Sequence, residues 1–210
     1  MPLAVDSYVM GPFRSNCYVV RANAGASEAA IVDPGDDPAP LLRELARLGT
    51  TAAGILVTHT DVDHIGGVAA LAEGTGAEVW APAGEVEDLR TGSPRGGLPV
   101  APHDPAHLVT GGDEITVAGI EFDVIDVPGH SRGHVAFHSG GELFVGDVLF
   151  AGSVGRYDLP GGDWETLLDS LRSLLERFPG ETIVYPGHGP ATTLGQELQT
   201  NPFLGELRAS

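Results

Sequence analysis

Lysine is missing from this chain altogether. All 11 basic residues are arginine, and against 29 acidic ones they leave a net charge of −18. So negative a surface repels nucleic-acid phosphates and anionic lipid at long range, which excludes both as expected partners and leaves a small molecule. Cysteine is nearly absent too. Cys17 stands alone, which rules out an internal disulfide and makes a cytoplasmic location the expectation. It lies in the strand-like run Cys17-Tyr18-Val19-Val20 and reads as core packing rather than as a nucleophile. No run of about 18 apolar residues exists, so no membrane span is expected. The stretch from Met1 to Asp6 lacks the basic region and apolar segment of a secretory signal. What abounds is 30 Gly and 16 Pro in 210 residues with an apolar share of 42%, the profile of a compact, loop-rich α/β protein. That length suits a single domain over residues 1–210.

Strand-like runs open the chain at Leu3 to Val9, Asn16 to Arg21 and Glu28 to Val32, the last closed by the turn signal Asp33-Pro34-Gly35. Leu41, Leu42, Leu45, Ala46 and Leu48 then recur at helical spacing, ended by Gly49. A strand from Ala53 to Val57, a helix starting at Val68 and a short strand from Ala77 to Trp80 follow. Residues 92–105 are rich in Gly, Pro and Ser and read as an irregular loop. A second round repeats the pattern. Strands are expected at Ile115 to Val117, Ile120 to Val127, His134 to His138, Leu143 to Val145 and Thr182 to Tyr185, with a helix from Trp164 to Phe178. Two similar halves suggest two packed sheets with helices outside.

The chemistry concentrates in His59-Thr60-Asp61-Val62-Asp63-His64, two imidazoles and two carboxylates on a short loop after a strand. Such a donor set suits zinc, iron or manganese. Three further polar residues share a setting just past a strand-like run and a glycine: His130 after Val127-Pro128-Gly129, Asp147 after Phe144-Val145-Gly146, and His188 after Tyr185-Pro186-Gly187. One such residue is unremarkable. Four such stations in one chain point to a metal site.

With Thr58 ahead of that cluster, and with Pro128-Gly129-His130-Ser131-Arg132-Gly133-His134, Gly146-Asp147 and Gly187-His188, the chain resembles the metallo-β-lactamase superfamily. Gly146 to Phe150 and Gly152 to Gly162 resemble its compact glyoxalase II-like members. The resemblance implies an αββα sandwich of two mixed β-sheets flanked by helices, with a binuclear site at its mouth. It assigns His59, Asp61 and His130 to one divalent ion, Asp63, His64 and His188 to a second, and Asp147 as the bridge. Zinc is the first expectation. The activity implied is hydrolysis of a thioester such as S-lactoylglutathione by a metal-bridging hydroxide, with Asp63 and Asp147 as catalytic groups and Asp63 orienting the nucleophile. Arg156, nine residues after Asp147, matches the position that meets an anionic substrate; an ion pair with Asp158 or Asp163 is the competing reading. Asp33 is expected to orient a ligand histidine from behind, and His134 to support the site or the core. His103, His107 and His138 read as ordinary loop and strand residues, and Trp80 and Trp164 as packing.

The usual motif has a histidine where this chain has Asp61. Two divalent ions are balanced by three carboxylates and a hydroxide, whereas a histidine would leave one positive charge. A carboxylate there therefore admits iron or manganese beside zinc. Lactones and β-lactams are alternative substrates for the same attack. A persulfide dioxygenase, with one iron on His59, His130 and Asp147, is an oxidative alternative, and a catalytically silent member is a third. Full-length glyoxalase II carries a further helical C-terminal domain with glutathione contacts, whereas about 20 residues follow His188 here, so the resemblance does not extend to those contacts.

Overall fold

A strand buried on both faces needs cover on both, and β2 (Ser15–Arg21) is buried along its whole length. The structure, a computed structural model, describes residues 3–95 and 97–208. One sheet runs in the order β1 (Ala4–Met10), β2, β3 (Glu28–Val32), β4 (Thr51–Leu56), β5 (Glu78–Pro82), β6 (His107–Val109). Its first two pairings are antiparallel and the rest parallel. The other sheet holds β7 (Glu114–Val117), β8 (Ile120–Asp126), β9 (Val135–Ser139) and β10 (Glu142–Gly146), then β13 (Ile183–Pro186) and β14 (Thr192–Thr193). Only β10 and β13 pair in parallel there. A small ribbon joins β11 (Leu149–Phe150) to β12 (Ser153–Val154).

Side-chain alternation sorts the layers. Val19, Ile31 and Ile55 face outward, against Leu41 of α1 (Pro38–Leu48) and Val68 and Leu71 of α3 (Val68–Thr75). Their neighbours Val20, Val32 and Leu56 face inward, meeting Phe122, Phe137 and Phe144 of the second sheet. That sheet's outer face packs Ile125, Val145 and Val184 under Leu167, Leu171 and Leu174 of α5 (Trp164–Arg177). Each fully buried side chain of this kind contributes about 1.5–3 kcal/mol, against about 0–1 for a surface ion pair, so three apolar layers hold the molecule together. The result is the αββα sandwich of two mixed sheets that the resemblance implied. Among the described residues no helix is long and apolar enough to cross a membrane.

The helix expected at Leu41 to Leu48 begins earlier. Asp37 accepts a bond from the Ala39 amide, Pro38 opens the helix, and Gly49 closes it in the left-handed conformation at φ 66°. The strand expected to open at His134 starts at Val135. The larger difference falls in the ligand cluster: the expected loop contains a helical turn, α2 (Val62–Ile65), preceded by Asp61, whose side chain makes no capping bond. Just beyond it the chain packs closely, the Gly67 amide donating to the Gly35 carbonyl at 2.6 Å. Two further short helices, α4 (Val86–Thr91) and α6 (Leu194–Thr200), carried no clear sequence signal. The irregular loop over residues 92–105 holds no regular element among its described residues; Gly96 within it, like Met1 and Pro2, lies outside them.

Candidate metal centre

The C-terminal ends of β4, β8, β10 and β13 meet at one rim of the sandwich, and each delivers candidate ligands there. His59 follows β4, and α2 turns the chain so that Asp61 sits at its cap and Asp63 and His64 within it. The structure brings two triads together, His59 with Asp61 and His130, and Asp63 with His64 and His188; within each, the donor atoms lie within 4.8 Å of one another. Asp147 stands between them. Its carboxylate lies 3.4 Å from His64 Nε2, 3.5 Å from His188 Nε2 and 3.9 Å from His130 Nε2.

Hydrogen bonds behind the rings decide what the rings present. Asp33 accepts from the Thr58 amide at 2.9 Å, from Thr58 Oγ1 at 2.7 Å and from His64 Nδ1 at 2.9 Å. Thr58 Oγ1, having donated its proton, accepts from His59 Nδ1 at 3.0 Å. His130 Nδ1 donates to the Arg156 carbonyl at 2.7 Å. All three histidines thus hold a proton at Nδ1 and turn Nε2 toward the cluster. His59 Nε2, His64 Nε2 and Asp147 Oδ1 are buried and make no hydrogen bond. Buried polar atoms left so are costly, and a divalent ion is the partner that fits their donor chemistry.

The electrostatics ask for a cation. Burial pushes the Asp147 carboxyl upward, but His64 and His188 outweigh it and hold it well below the usual range. His64 shows the reverse balance: burial lowers it, while Asp147 and Asp33 raise it well above an ordinary imidazole. Bonds to Asp147 and Asp63 lift His188 to about 9. Burial, with His64, His134 and His130 alongside, keeps His59 neutral. His134 is likewise lowered by burial, donates from Nε2 to the Val145 carbonyl at 3.1 Å, and stacks on His59 with ring centroids 4.4 Å apart. It supports a ligand ring rather than offering one.

Arg95 escaped the sequence reading. Its guanidinium forks onto Asp61, with Nη2 2.8 Å from Oδ2, and also contacts the His130 carbonyl and Nε2. Burial pushes Asp61 up, but its neighbours His130 and Arg95 carry it down to about 2. A carboxylate in a histidine's place was the one available hint of a nearby counter-charge. Arg156 sits differently. Its side chain is exposed and forks onto Asp158 at 2.9 Å, and only its carbonyl touches the cluster. Of the remaining histidines, His107 stacks on Trp80 and His138 bonds to Asp123, both away from the site.

Small residues before the ligands make the approach possible. Gly146 holds φ 50°, and a Cβ there would stand 2.4 Å from Thr58 Oγ1. A Cβ at Gly187 would lie 2.0 Å from Asp147 Oδ1 and 2.7 Å from His64 Cε1. Gly187→Ala is therefore expected to cost about 1–3 kcal/mol by overpacking and to weaken zinc binding. Thermal melting and a zinc titration check it; wild-type zinc affinity would contradict the crowding.

An αββα sandwich with paired histidine–carboxylate triads at its mouth defines a metal-binding enzyme class. Residues 10–188 match the metallo-beta-lactamase superfamily, and the chain belongs to it. The chain is 35% identical over 200 residues to hydroxyacylglutathione hydrolase GloC of Haemophilus influenzae, covering 91% of this chain and 93% of that one. Among solved structures it is similar to the BLEG-1 B3 metallo-beta-lactamase, with a TM-score of 0.89 and 38% identity over 96% of this chain and 100% of that one. It is also similar to TTHA1623, solved in a di-iron-bound form, with a TM-score of 0.81 and 41% identity over 95% and 100%. The chain is thus a member of a metallo-hydrolase superfamily with hydroxyacylglutathione hydrolase relatives.

Proposed function

We propose that this chain hydrolyses an anionic thioester of the S-lactoylglutathione kind, using divalent ions held by the two triads. The observation that carries the substrate class is Arg132. Two residues beyond His130, it lines a cleft of about 290 Å³ together with Arg95, Ser131 and the carboxylates Glu85, Glu87 and Asp88, which are bonded to Thr60 and Arg90. Its guanidinium is exposed and has no ion pair or hydrogen bond among the described residues, in a protein whose net charge is −18. A free arginine in a cleft that Arg95 joins to Asp61 suits a carboxylate on the substrate. The hydroxyacylglutathione hydrolase name of a 35% identical relative supports the same class.

Divalent ions in the triads supply Lewis acidity, which polarises an acyl carbonyl and makes water nucleophilic near neutral pH. The chain's own groups do the rest. Asp147 holds the two triads in register. Asp63, partly exposed and 3.1 Å from His188 Nε2, orients the attacking water by accepting its proton. Arg132 anchors the substrate's carboxylate, and a thiolate departs without a proton donor. Zinc suits the imidazole-rich set, while Asp61 extends it to iron and manganese, as the di-iron form of a 41% identical protein supports.

The test is thiol release from S-lactoylglutathione under nitrogen by zinc-, iron- and manganese-loaded protein, beside a neutral thioester. Arg132→Ala is expected to raise KM for the anionic substrate about 10-fold or more, with little change for the neutral one. Arg156→Ala, already paired to Asp158, should have the smaller effect. Equal losses on both thioesters would remove Arg132 from the role. Turnover of lactones or β-lactams instead, or oxygen uptake with glutathione persulfide, would replace the thioester reading.

A further inference from the structure

The Arg95 guanidinium is not merely near the first triad; it uses that triad's donor atoms. Its Nη2 donates to Asp61 Oδ2 and meets His130 Nε2, two atoms that lie 3.2 Å apart. Because His130 Nδ1 is committed to the Arg156 carbonyl, Nε2 has one lone pair to give. Nε of the same guanidinium takes the other Asp61 oxygen, and Nη1 takes the His130 carbonyl. A metal ion and this guanidinium cannot share that lone pair. No arginine reaches the second triad among the described residues: His64, His188, Asp63 and Asp147 have only one another, Asp33 and the His130 imidazole at ion-pair distance.

We propose that Arg95 is a built-in competitor for the first metal site. The two triads then load unequally. Asp63, His64 and His188 with Asp147 take the first ion, and His59, Asp61 and His130 take a second only as Arg95 withdraws. Charge points the same way. One divalent ion together with Arg95 already balances Asp61, Asp63 and Asp147, whereas a second ion beside a seated guanidinium would leave excess positive charge in a largely buried site. Withdrawal is mechanically open. Arg95 lies on the segment between α4 and β6, whose Ser93, Gly97 and Leu98 are exposed, and it already lines the cleft that Arg132 lines. The base of that segment is tied down, by Val100 to Gly92 at 3.0 Å and His103 to Leu89 at 2.9 Å, so the side chain can leave without the segment unfolding.

The inference concerns ion loading, so it stands or falls separately from the thioester substrate. Metal-stripped wild type and Arg95→Ala are titrated with zinc against a chromophoric chelator, with bound ions counted by native mass spectrometry. Wild type is expected to show one tight and one weaker ion. Arg95→Ala should tighten the weaker one about 10–100-fold, the scale on which partners of ligands tune affinity, and leave the tight one alone. Asp61→Asn should weaken only the weaker ion, which assigns it to the first triad. Circular dichroism checks folding; where alanine does not fold, Arg95→Gln keeps a donor without the charge and should tighten the same ion. Two equal affinities in wild type would overturn the proposal. So would a weaker ion that Arg95→Ala leaves unchanged or loosens, since Arg95 would then support Asp61 instead of competing with it.

Discussion

Asp147→Asn is expected to lower thioester turnover by at least about 10²–10³-fold, the scale on which a single electrostatic stabiliser counts in a water-poor site. The amide keeps the shape and removes the charge. Asp147 is buried, lies within 4 Å of imidazoles from both triads, and leaves Oδ1 without a hydrogen bond. Among the described residues it is the only carboxylate at ion-pair distance from imidazoles of both triads. Its loss should therefore weaken both ions, whereas Asp61→Asn should weaken one. Steady-state kinetics beside a zinc titration separates the outcomes. A variant that keeps both ions and loses turnover would make Asp147 a reacting group rather than a bridge. One that keeps turnover would remove Asp147 from the site.

The candidate ligands were legible because each station sits just past a strand, three of them after a glycine that permits close approach, a local rule that a sequence displays directly. His130, Asp147 and His188 announce themselves in this way, and the strands behind them were placed to within a residue or two. Arg95 obeys no such rule. It lies on a segment with no periodicity, and its contact with Asp61 spans 34 positions in the chain. Only the unusual carboxylate at Asp61 implied a counter-charge, and any of 11 arginines could have supplied it. Arg156 had two readings in the sequence, an anionic substrate or an ion pair with Asp158 or Asp163. Position nominated it for an anionic substrate, but a fork onto Asp158 two residues away engages it in this structure. Short elements were missed where length gives pattern no room, as in the three-residue β6 and the four-residue α2. The twist of α2 matters most of these, since it turns Asp63 and His64 toward the second triad.

Asp33 should be the most damaging residue to change outside the ligand set. Its carboxylate is buried and accepts three bonds, two from Thr58 and one from His64 Nδ1. Asp33→Ala leaves those donors unmatched and is expected to cost about 3–5 kcal/mol, as breaking a buried charged network does. For a chain of this length that lowers the melting temperature on the order of 10 °C. The backbone adds a second term, because Asp33 holds φ 50°, a left-handed conformation that alanine tolerates poorly. Asp33→Asn separates the two. Asparagine accepts that backbone, so its effect reports the lost charge and the lost acceptor alone. It should melt between wild type and Asp33→Ala, while zinc affinity at the second triad falls about 10–100-fold because His64 is no longer held by its Nδ1 proton. The first triad should weaken less, since Asp33 reaches His59 only through the Thr58 hydroxyl. Asp33→Asn with wild-type zinc affinity would mean that the residue serves the turn alone. A loss equal at both triads would mean that the Thr58 relay, not the His64 contact, carries its influence.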